Sequence, residues 1–154
     1  MSYALRIEGE LDQGDLIRRI VVSRKTPLEV TDTAELLVSH VCVLSHGCDI
    51  DKVKSDSVLV ARIIRLSALP DQRMAGHIRR NRVYEAFFLP AAGPVSEDAY
   101  IDWRSIQAVD KQALLTARQS DKYIASLDEE TLAAASEGLW RFLFRLQERR
   151  PRTV

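Results

Sequence analysis

The sequence predicts one domain, mainly β with α, in which short strands form a small β-barrel or sandwich that a C-terminal helix closes. Apolar, β-branched runs follow one another closely with little helical pattern between them, which is typical of small barrels and sandwiches. Near its end the chain instead repeats apolar residues at helical spacing. The 154 residues, 46% of them hydrophobic and 29% charged, have the size and composition of a single domain over positions 1–154.

Charge and cysteine content exclude several classes of protein. The 22 basic residues balance 22 acidic ones, so no overall field draws the chain to nucleic acid or anionic lipid, and only a local patch could do so. The N-terminal segment lacks the pattern of a signal peptide, and no apolar run approaches the roughly 18 residues of a membrane span. Cys42 and Cys48 form no CxxC pair. We therefore expect a cytoplasmic protein with reduced thiols and no membrane contact.

Three strands are predicted in the first half of the chain, over residues 17–22, 36–45 and 57–66. Each is short and rich in Val, Ile or Leu, which favours a strand over a helix. Gly14 and Asp15 form the turn before the first strand. A polar loop over 24–33, which contains Pro27, separates the first strand from the second.

The second half alternates polar segments with two further strands. Residues 71–82 read as a polar, basic loop, and strands are predicted over 83–89 and 100–109. Asp110 is the expected cap of a short helix that runs through Leu115.

A C-terminal helix over 127–148 is the clearest element of the sequence. Ser126 and Glu129 fit a capping box of the form Ser-x-x-Glu. The core-facing stripe at helical spacing comprises Leu132, Ala135, Leu139, Phe142, Leu143 and Leu146. Trp140 and Phe144, four residues apart, form a second stripe that either covers a partner subunit or belongs to a helix buried on most sides.

The order of these motifs resembles that of the MazF/PemK-like toxins. The resemblance rests on GDLI at 14–17, VCVLS at 41–45, VLVA at 58–61, and IDWRSI at 101–106 followed by VDK at 109–111. It implies a small SH3-like β-barrel closed by the C-terminal amphipathic helix. It also implies a homodimeric endoribonuclease toxin that acts on single-stranded RNA without a metal or other cofactor, and an antitoxin as protein partner.

The catalytic positions that the resemblance implies carry different residues here. The family's catalytic arginine aligns with Ser39 and His40, and its catalytic threonine or serine aligns with the segment around Arg65. Cleavage of a phosphodiester needs a base near the 2′-hydroxyl and a cation for the developing negative charge. His40 with Arg62 or Arg65 would supply both, so the hypothesised catalytic set is Ser39, His40, Arg62 and Arg65.

A second polar cluster, the SHGCD motif, is formed by Ser45, His46, Gly47, Cys48 and Asp49 at the end of a predicted strand. A similar SHxCD motif occurs in a looser set of uncharacterised small bacterial proteins. Cys48 could be a nucleophile assisted by His46 and Asp49, as in an enzyme of another class. The cluster could also be half of a metal site, or simply a turn at Gly47 with a packed thiol.

The remaining candidates concern binding. Four arginines in the basic segment could contact RNA phosphates or could form a solvated loop: Arg73, Arg79, Arg80 and Arg82. Three aromatic residues could stack on bases, although core or dimer packing is the alternative: Tyr84, Phe87 and Phe88. A non-catalytic interaction module, which keeps the fold and lacks the activity, is the third functional hypothesis.

Overall fold

The computed structural model of the protein describes residues 3–6, 9–24, 35–52 and 54–148, with side chains through 145. The strands are β1 (Tyr3–Ala4), β2 (Asp15–Ser23), β3 (Leu36–Val43), β4 (Ser57–Arg65), β5 (Ala86–Leu89), β6 (Ala99–Asp110) and β7 (Tyr123–Leu127). The helices are α1 (Gly47–Ile50), α2 (Gln72–Arg79), α3 (Lys111–Arg118) and α4 (Glu129–Glu148), and a 3-10 turn spans Leu66–Ala68. The predicted loop around Pro27 and the side chain of Leu146 lie outside the described part.

One antiparallel sheet contains all seven described strands, in the order β1-β7-β2-β3-β4-β6-β5. The edge strands β1 and β5 do not pair with each other, so the predicted closed barrel is wrong: the sheet is an open, curled half-barrel. The Tyr3 hydroxyl donates a hydrogen bond to the Pro90 carbonyl at 2.6 Å, just beyond the end of β5. Helix α4 packs against β5 and β7. The opening between the two edges is therefore covered by a helix and one side-chain contact.

Both faces of β3 are buried over its last three residues, 41–43. Val41 and Val43 belong to a core cluster with Leu114 of α3, whereas Cys42 belongs to a second cluster with Phe142 of α4. Because successive side chains of a strand point to opposite faces, this run packs helices on both sides and has no polar face. Burial raises the pKa of the Cys42 thiol to about 12.

Most of the basic segment at 71–82 forms a helix, α2, where a loop was predicted. Asp71 caps α2, because its carboxylate accepts a hydrogen bond from the Arg73 backbone N–H at 2.9 Å. Ala75 and Ile78 are buried against Tyr100 in a third core cluster. Two apolar residues three positions apart are enough to hold this short helix on the sheet, although they are too few to stand out in a polar sequence.

Two helix starts were predicted, with different outcomes. The Asp110 carboxylate accepts from the Ala113 backbone N–H at 2.9 Å, so that predicted cap is confirmed, and α3 continues to Arg118. The capping box is wrong, because Ser126 lies within β7, a strand that the sequence pattern did not reveal. Asp128 accepts instead from the Thr131 backbone N–H at 2.8 Å, which fits the start of α4 at Glu129.

Helix α4 turns its predicted core stripe inward along most of its length. Ala135 and Phe142 are buried, and Leu139 is partly buried against the same cluster. Leu143 is an exception and is 39% exposed. None of the described helices is long and apolar enough to cross a membrane.

A buried ionic cluster, termed here the Asp15 cluster, links the N-terminal segment and β2 to α3 and β7. The carboxylate of Asp15 is fully buried and pairs with Arg118 at 3.2 Å and with Arg6 at 2.6 Å. The Ser126 hydroxyl donates to the same carboxylate at 2.5 Å. The Arg118 guanidinium also lies 3.7 Å from the centre of the Tyr123 ring. Every oxygen of the buried carboxylate thus has a cationic or hydroxyl partner, as burial of a charge requires.

Candidate functional site: an arginine-lined cavity

A β-bulge in β2 shapes the site. Ile17 pairs with Val41 and Ile20 pairs with Ser39, so two residues of β2, Arg18 and Arg19, lie opposite the single residue between Ser39 and Val41. Arg19 has a φ of 56°, in the left-handed region that a non-glycine residue seldom adopts. Such a bulge re-aims the side chains of the strand that carries it.

A cavity of about 450 Å³ lies over β2, β3 and β4 beside this bulge. Its charged and polar walls are formed by Arg18, Ser39, His40, Arg62, Arg65 and Glu97. The whole hypothesised catalytic set therefore lines one cavity, although its members come from two different strands. The pairing of His40 with Ile63 and of Val41 with Arg62 brings these strands into that arrangement.

Two partly buried arginines in this cavity each have one side-chain nitrogen that lacks a hydrogen-bond partner in the described structure. The Nε atoms of Arg18 and Arg62 are buried and have no hydrogen-bond partner among the described residues. Neither side chain forms an ion pair with a described carboxylate, whereas Arg65 pairs with Glu97 at 3.2 Å. A buried N–H donor without an acceptor is costly. The arrangement is suited to an anion that enters the cavity.

A backbone hydrogen bond fixes the tautomer of the neutral His40 ring. The backbone N–H of Arg19 donates to Nδ1 of His40 at 3.3 Å, so the neutral ring carries its proton on Nε2. Partial burial, followed by the positive charges of Arg18, Arg65 and Arg19, lowers the pKa of His40 below its ordinary value. The ring is therefore placed as a neutral hydrogen-bond donor. Its Nδ1 lone pair, which a base would use, is already engaged.

Ser39 is buried at the side of the cavity. Its hydroxyl donates to the carbonyl of His40 at 3.0 Å. No described general base contacts that hydroxyl, so the geometry favours Ser39 as a supporting residue of the wall.

The SHGCD motif is engaged in local structure. Nδ1 of His46 accepts from the backbone N–H of Cys48 at 3.2 Å, which caps α1. Asp49 pairs with Lys52 at 2.7 Å, and this pair lowers the pKa of Asp49. The Gly47 backbone N–H donates to Asp12 at 2.8 Å. The Cys48 thiol itself is exposed. Within the described residues no group of three or more His, Cys, Asp or Glu could hold a metal.

The four arginines of the basic segment do not form one stripe. Arg79 pairs with Asp98 at 3.1 Å, and Arg82 lines a separate cavity of about 600 Å³ that faces α4. Arg73 and Arg80 are exposed. Only Arg73 and Arg79 lie within α2, whereas Arg80 caps its C-terminus and Arg82 follows it, so the four charges point in different directions.

The three aromatic candidates are also separated. Phe87 is buried, with its ring 6.4 Å from that of Trp103, and Phe88 packs in the cluster of α2. Tyr84 is exposed, and the Arg145 guanidinium lies 4.0 Å from its ring centre. These three rings are therefore not a shared stacking platform, and core packing accounts for Phe87 and Phe88.

Arg18 and Glu97 line the cavity and were missed by the sequence reasoning. In a regular strand only one of Arg18 and Arg19 would face the site, and nothing in the sequence marks the bulge that selects Arg18. Glu97 lies in the loop before β6, so its position depends on how that loop folds back. The adjacent Glu97 and Asp98 pair with arginines of different elements, which is a tertiary contact and leaves no local signal.

No protein-family model matches this sequence, and no curated protein matches it.

Proposed function

We propose that the protein binds single-stranded RNA through the phosphates of its backbone, with the arginine-lined cavity as the binding site. The observation that carries this proposal is the pair of buried, unpartnered Nε atoms of Arg18 and Arg62. Guanidinium groups bind phosphate oxygens through charge-assisted hydrogen bonds. An RNA phosphate would supply the acceptors that the protein does not provide to these two side chains.

The shape and surroundings of the cavity favour a nucleotide over a bare anion. Apolar side chains of Val38 and Ile63 share its lining with the arginines. Ligand sites commonly combine apolar walls with a few placed polar groups. A base that is free of a duplex can lie against such walls, which is why we propose a single strand.

The motif resemblance extends this proposal. We infer a divergent MazF/PemK-like protein with a distorted, open form of an SH3-like barrel, acting as a metal-independent endoribonuclease toxin. A homodimer, a cytoplasmic location and an antitoxin partner belong to the same proposal. It is supported by the order of the motifs and by the joint placement of His40, Arg62 and Arg65 in one cavity.

Binding is tested by fluorescence anisotropy with a labelled 12-nucleotide single-stranded RNA over a range of salt concentrations. We expect Arg18→Met and Arg62→Met each to weaken binding and to reduce the slope of log affinity against log salt by about one phosphate contact, or roughly 0.7. The matched control is Arg141→Met, an exposed arginine of α4 paired with Glu137. Equal affinities and slopes in all three variants would exclude the cavity as the phosphate site.

Cleavage is tested by incubating the protein with a long mixed-sequence RNA in the presence of a chelator and mapping the new ends. We expect site-specific cuts that His40→Ala and Arg65→Ala abolish. Because both side chains line the cavity without being deeply buried, these variants should remain folded. Intact RNA at high protein concentration would contradict the endoribonuclease activity and leave the binding proposal in place.

A Cys48-dependent enzyme is the second candidate, favoured by the exposed thiol. Iodoacetamide near neutral pH, with mass detection, reports the reactivity of Cys48 while buried Cys42 serves as internal control. Rapid alkylation of Cys48 would support this candidate, and slow alkylation at the rate of a free thiol would count against it.

A non-catalytic interaction module is the third candidate, because the rings of Trp140 and Phe144 lie 5.8 Å apart on the exposed side of α4.

A further inference from the structure

Glu97 is the single carboxylate that lines the arginine cavity in the described part of the chain. Its Oε1 accepts from Arg65 at 3.2 Å, and its Oε2 accepts from the Ser67 hydroxyl at 3.3 Å. The side chain is still 46% exposed. A carboxylate offers about four lone-pair sites, so acceptor capacity remains free after these two bonds.

The other polar groups of the cavity cannot accept a proton as readily. Nδ1 of His40 is occupied by the Arg19 backbone N–H, and the Ser39 hydroxyl is used as a donor. Guanidinium groups have no acceptor. Glu97 is thus the group in the cavity with free lone pairs and a negative charge, and two hydrogen bonds limit its rotation.

Arg65 interacts with both Glu97 and His40. Its guanidinium contacts the carboxylate directly, and its charge is one of those that lower the pKa of His40. A phosphate bound to Arg18 and Arg62 would therefore have a carboxylate acceptor and an imidazole donor within the same cavity.

We propose that Glu97 is the general base of RNA cleavage in this cavity. This inference rests on the proposed function, because it requires a phosphodiester at Arg18 and Arg62. The carboxylate takes the proton of the 2′-hydroxyl, and the 2′ oxygen forms a bond to phosphorus. The bond from phosphorus to the 5′ oxygen breaks, and that oxygen leaves with a hydrogen bond from Nε2 of His40 and takes a proton from water. The products are a 2′,3′-cyclic phosphate and a 5′-hydroxyl.

The charges of the cavity side chains determine the roles that we assign to them in cleavage. The arginines stabilise the negative charge that builds on the phosphate oxygens, as preorganised donors do in other phosphoryl-transfer sites. Arg65 positions the carboxylate of Glu97 through their ion pair. The substrate class is restricted to RNA, because a deoxyribose has no 2′-hydroxyl for Glu97 to deprotonate.

The test compares wild type, Glu97→Gln and Ser67→Ala on one fluorescent RNA, with binding and cleavage measured separately. Binding is measured on the same oligonucleotide with a 2′-methoxy group at the cleavage site, which blocks the reaction. We expect Glu97→Gln to bind at least as tightly as wild type, since a negative charge near the phosphate is removed. Its cleavage rate should fall by about 100-fold or more, the usual contribution of general base catalysis. Ser67→Ala should change the rate by only a few-fold.

A rescue variant and a pH profile separate a base from a positioning residue. Glu97→Asp keeps the carboxylate and should recover part of the rate. The cleavage rates of wild type and Glu97→Gln should also depend differently on pH, because the variant has no carboxylate that accepts a proton. A Glu97→Gln rate within about threefold of wild type would overturn the inference.

The remaining outcomes distinguish this inference from the proposed function. Wild type that binds RNA but leaves it intact overturns the role of Glu97 and retains RNA binding. Wild type that neither binds nor cleaves RNA overturns both. A further substrate carries a single deoxyribose at the cleavage site. Cleavage of this substrate would also overturn the inference, because such cleavage needs no 2′-hydroxyl.

Discussion

Strand β2 contributes one residue to each of two arginine groups, Asp15 to the first and Arg18 to the second, and the two groups differ in their partners. In the Asp15 cluster, Arg118 is almost fully buried and shares the carboxylate of Asp15 with Arg6. Three residues further along β2, Arg18 extends into the cavity beside Arg62, and neither has a carboxylate partner among the described residues. Arginines on either side of β2 thus have opposite electrostatic surroundings.

We relate the difference to a structural role for the Asp15 cluster and to the binding role proposed for Arg18 and Arg62. A fully partnered buried ion pair contributes to a defined fold and becomes strongly destabilising when one partner is removed. An unpartnered cation costs stability in the free protein and is relieved by a ligand of opposite charge. The two groups should therefore respond in opposite ways to the removal of charge.

The largest expected effect is in the Asp15 cluster. Asp15→Asn removes the carboxylate and leaves the buried Arg118 guanidinium without its counter-charge, so we expect the free energy of unfolding to fall by about 3–5 kcal/mol. Urea denaturation followed by circular dichroism measures the loss. The control is Asp121→Asn, whose exposed ion pair with Arg19 should contribute no more than about 1 kcal/mol. Equal losses in the two variants would contradict a structural role for the cluster.

A smaller effect is expected beside that cluster, at Gly47. A Cβ atom on Gly47 would lie 2.8 Å from the Asp12 carboxylate, which must then move and release its hydrogen bond from the Gly47 N–H. We expect Gly47→Ala to cost about 1 kcal/mol, the net contribution of one such bond. Gly76→Ala is the matched control, because its Cβ would meet nothing within 4 Å and should stabilise α2 by up to about 1 kcal/mol. A stabilised Gly47→Ala variant would show that the bond to Asp12 is dispensable.

Removal of a charged side chain from the cavity should not lower the free energy of unfolding, in contrast to its removal from the Asp15 cluster. Arg18→Met and Arg62→Met remove unpartnered charges and keep apolar volume, so we expect the free energy of unfolding to stay within about 0.5 kcal/mol of wild type or to increase. Thermal unfolding of the free protein measures this change. A loss comparable to that of Asp15→Asn would mean that these arginines have structural partners, and would remove the distinction between the two regions.

The smallest effect concerns pH. The pKa of His40 is lowered in the folded protein, so below its ordinary value of about 6.5 the unfolded chain binds this proton more readily. The resulting loss of stability is absent above that pH and grows as pH falls toward the folded pKa. We expect His40→Asn to reduce the fall in melting temperature between pH 8 and pH 5.5. An unchanged pH dependence would contradict the lowered pKa.

Periodicity in the sequence was enough to predict the main elements. The β-branched runs at 17–22 and 57–66 lie in β2 and β4, and the apolar spacing after Leu132 predicts most of α4. Helix α2 was missed because its buried contribution is limited to Ala75 and Ile78. The start of α4 was misplaced because Ser126 and Glu129 fit a capping box, while the Ser126 hydroxyl is used by Asp15, 111 positions away.

The site was only partly predictable for a related reason. The motif comparison pointed to Ser39, His40, Arg62 and Arg65, and these line one cavity. Their order in two adjacent strands made that proximity foreseeable. Arg18 was not foreseeable, because a bulge breaks the alternation on which the reasoning depends. Loop contacts such as that of Glu97 carry no periodic signal at all.

The long sequence separation within the Asp15 cluster has a consequence for synthesis of the chain. Arg118 and Ser126 lie 103 and 111 positions after Asp15. A ribosome that has produced β2, β3 and β4 has released a carboxylate whose cationic and hydroxyl partners are largely still untranslated. Among its described cationic and hydroxyl partners only Arg6 precedes Asp15, so the carboxylate stays incompletely paired until α3 and β7 have emerged. We expect stable folding of the protein to be late and concerted, with few protected intermediates on the translating ribosome.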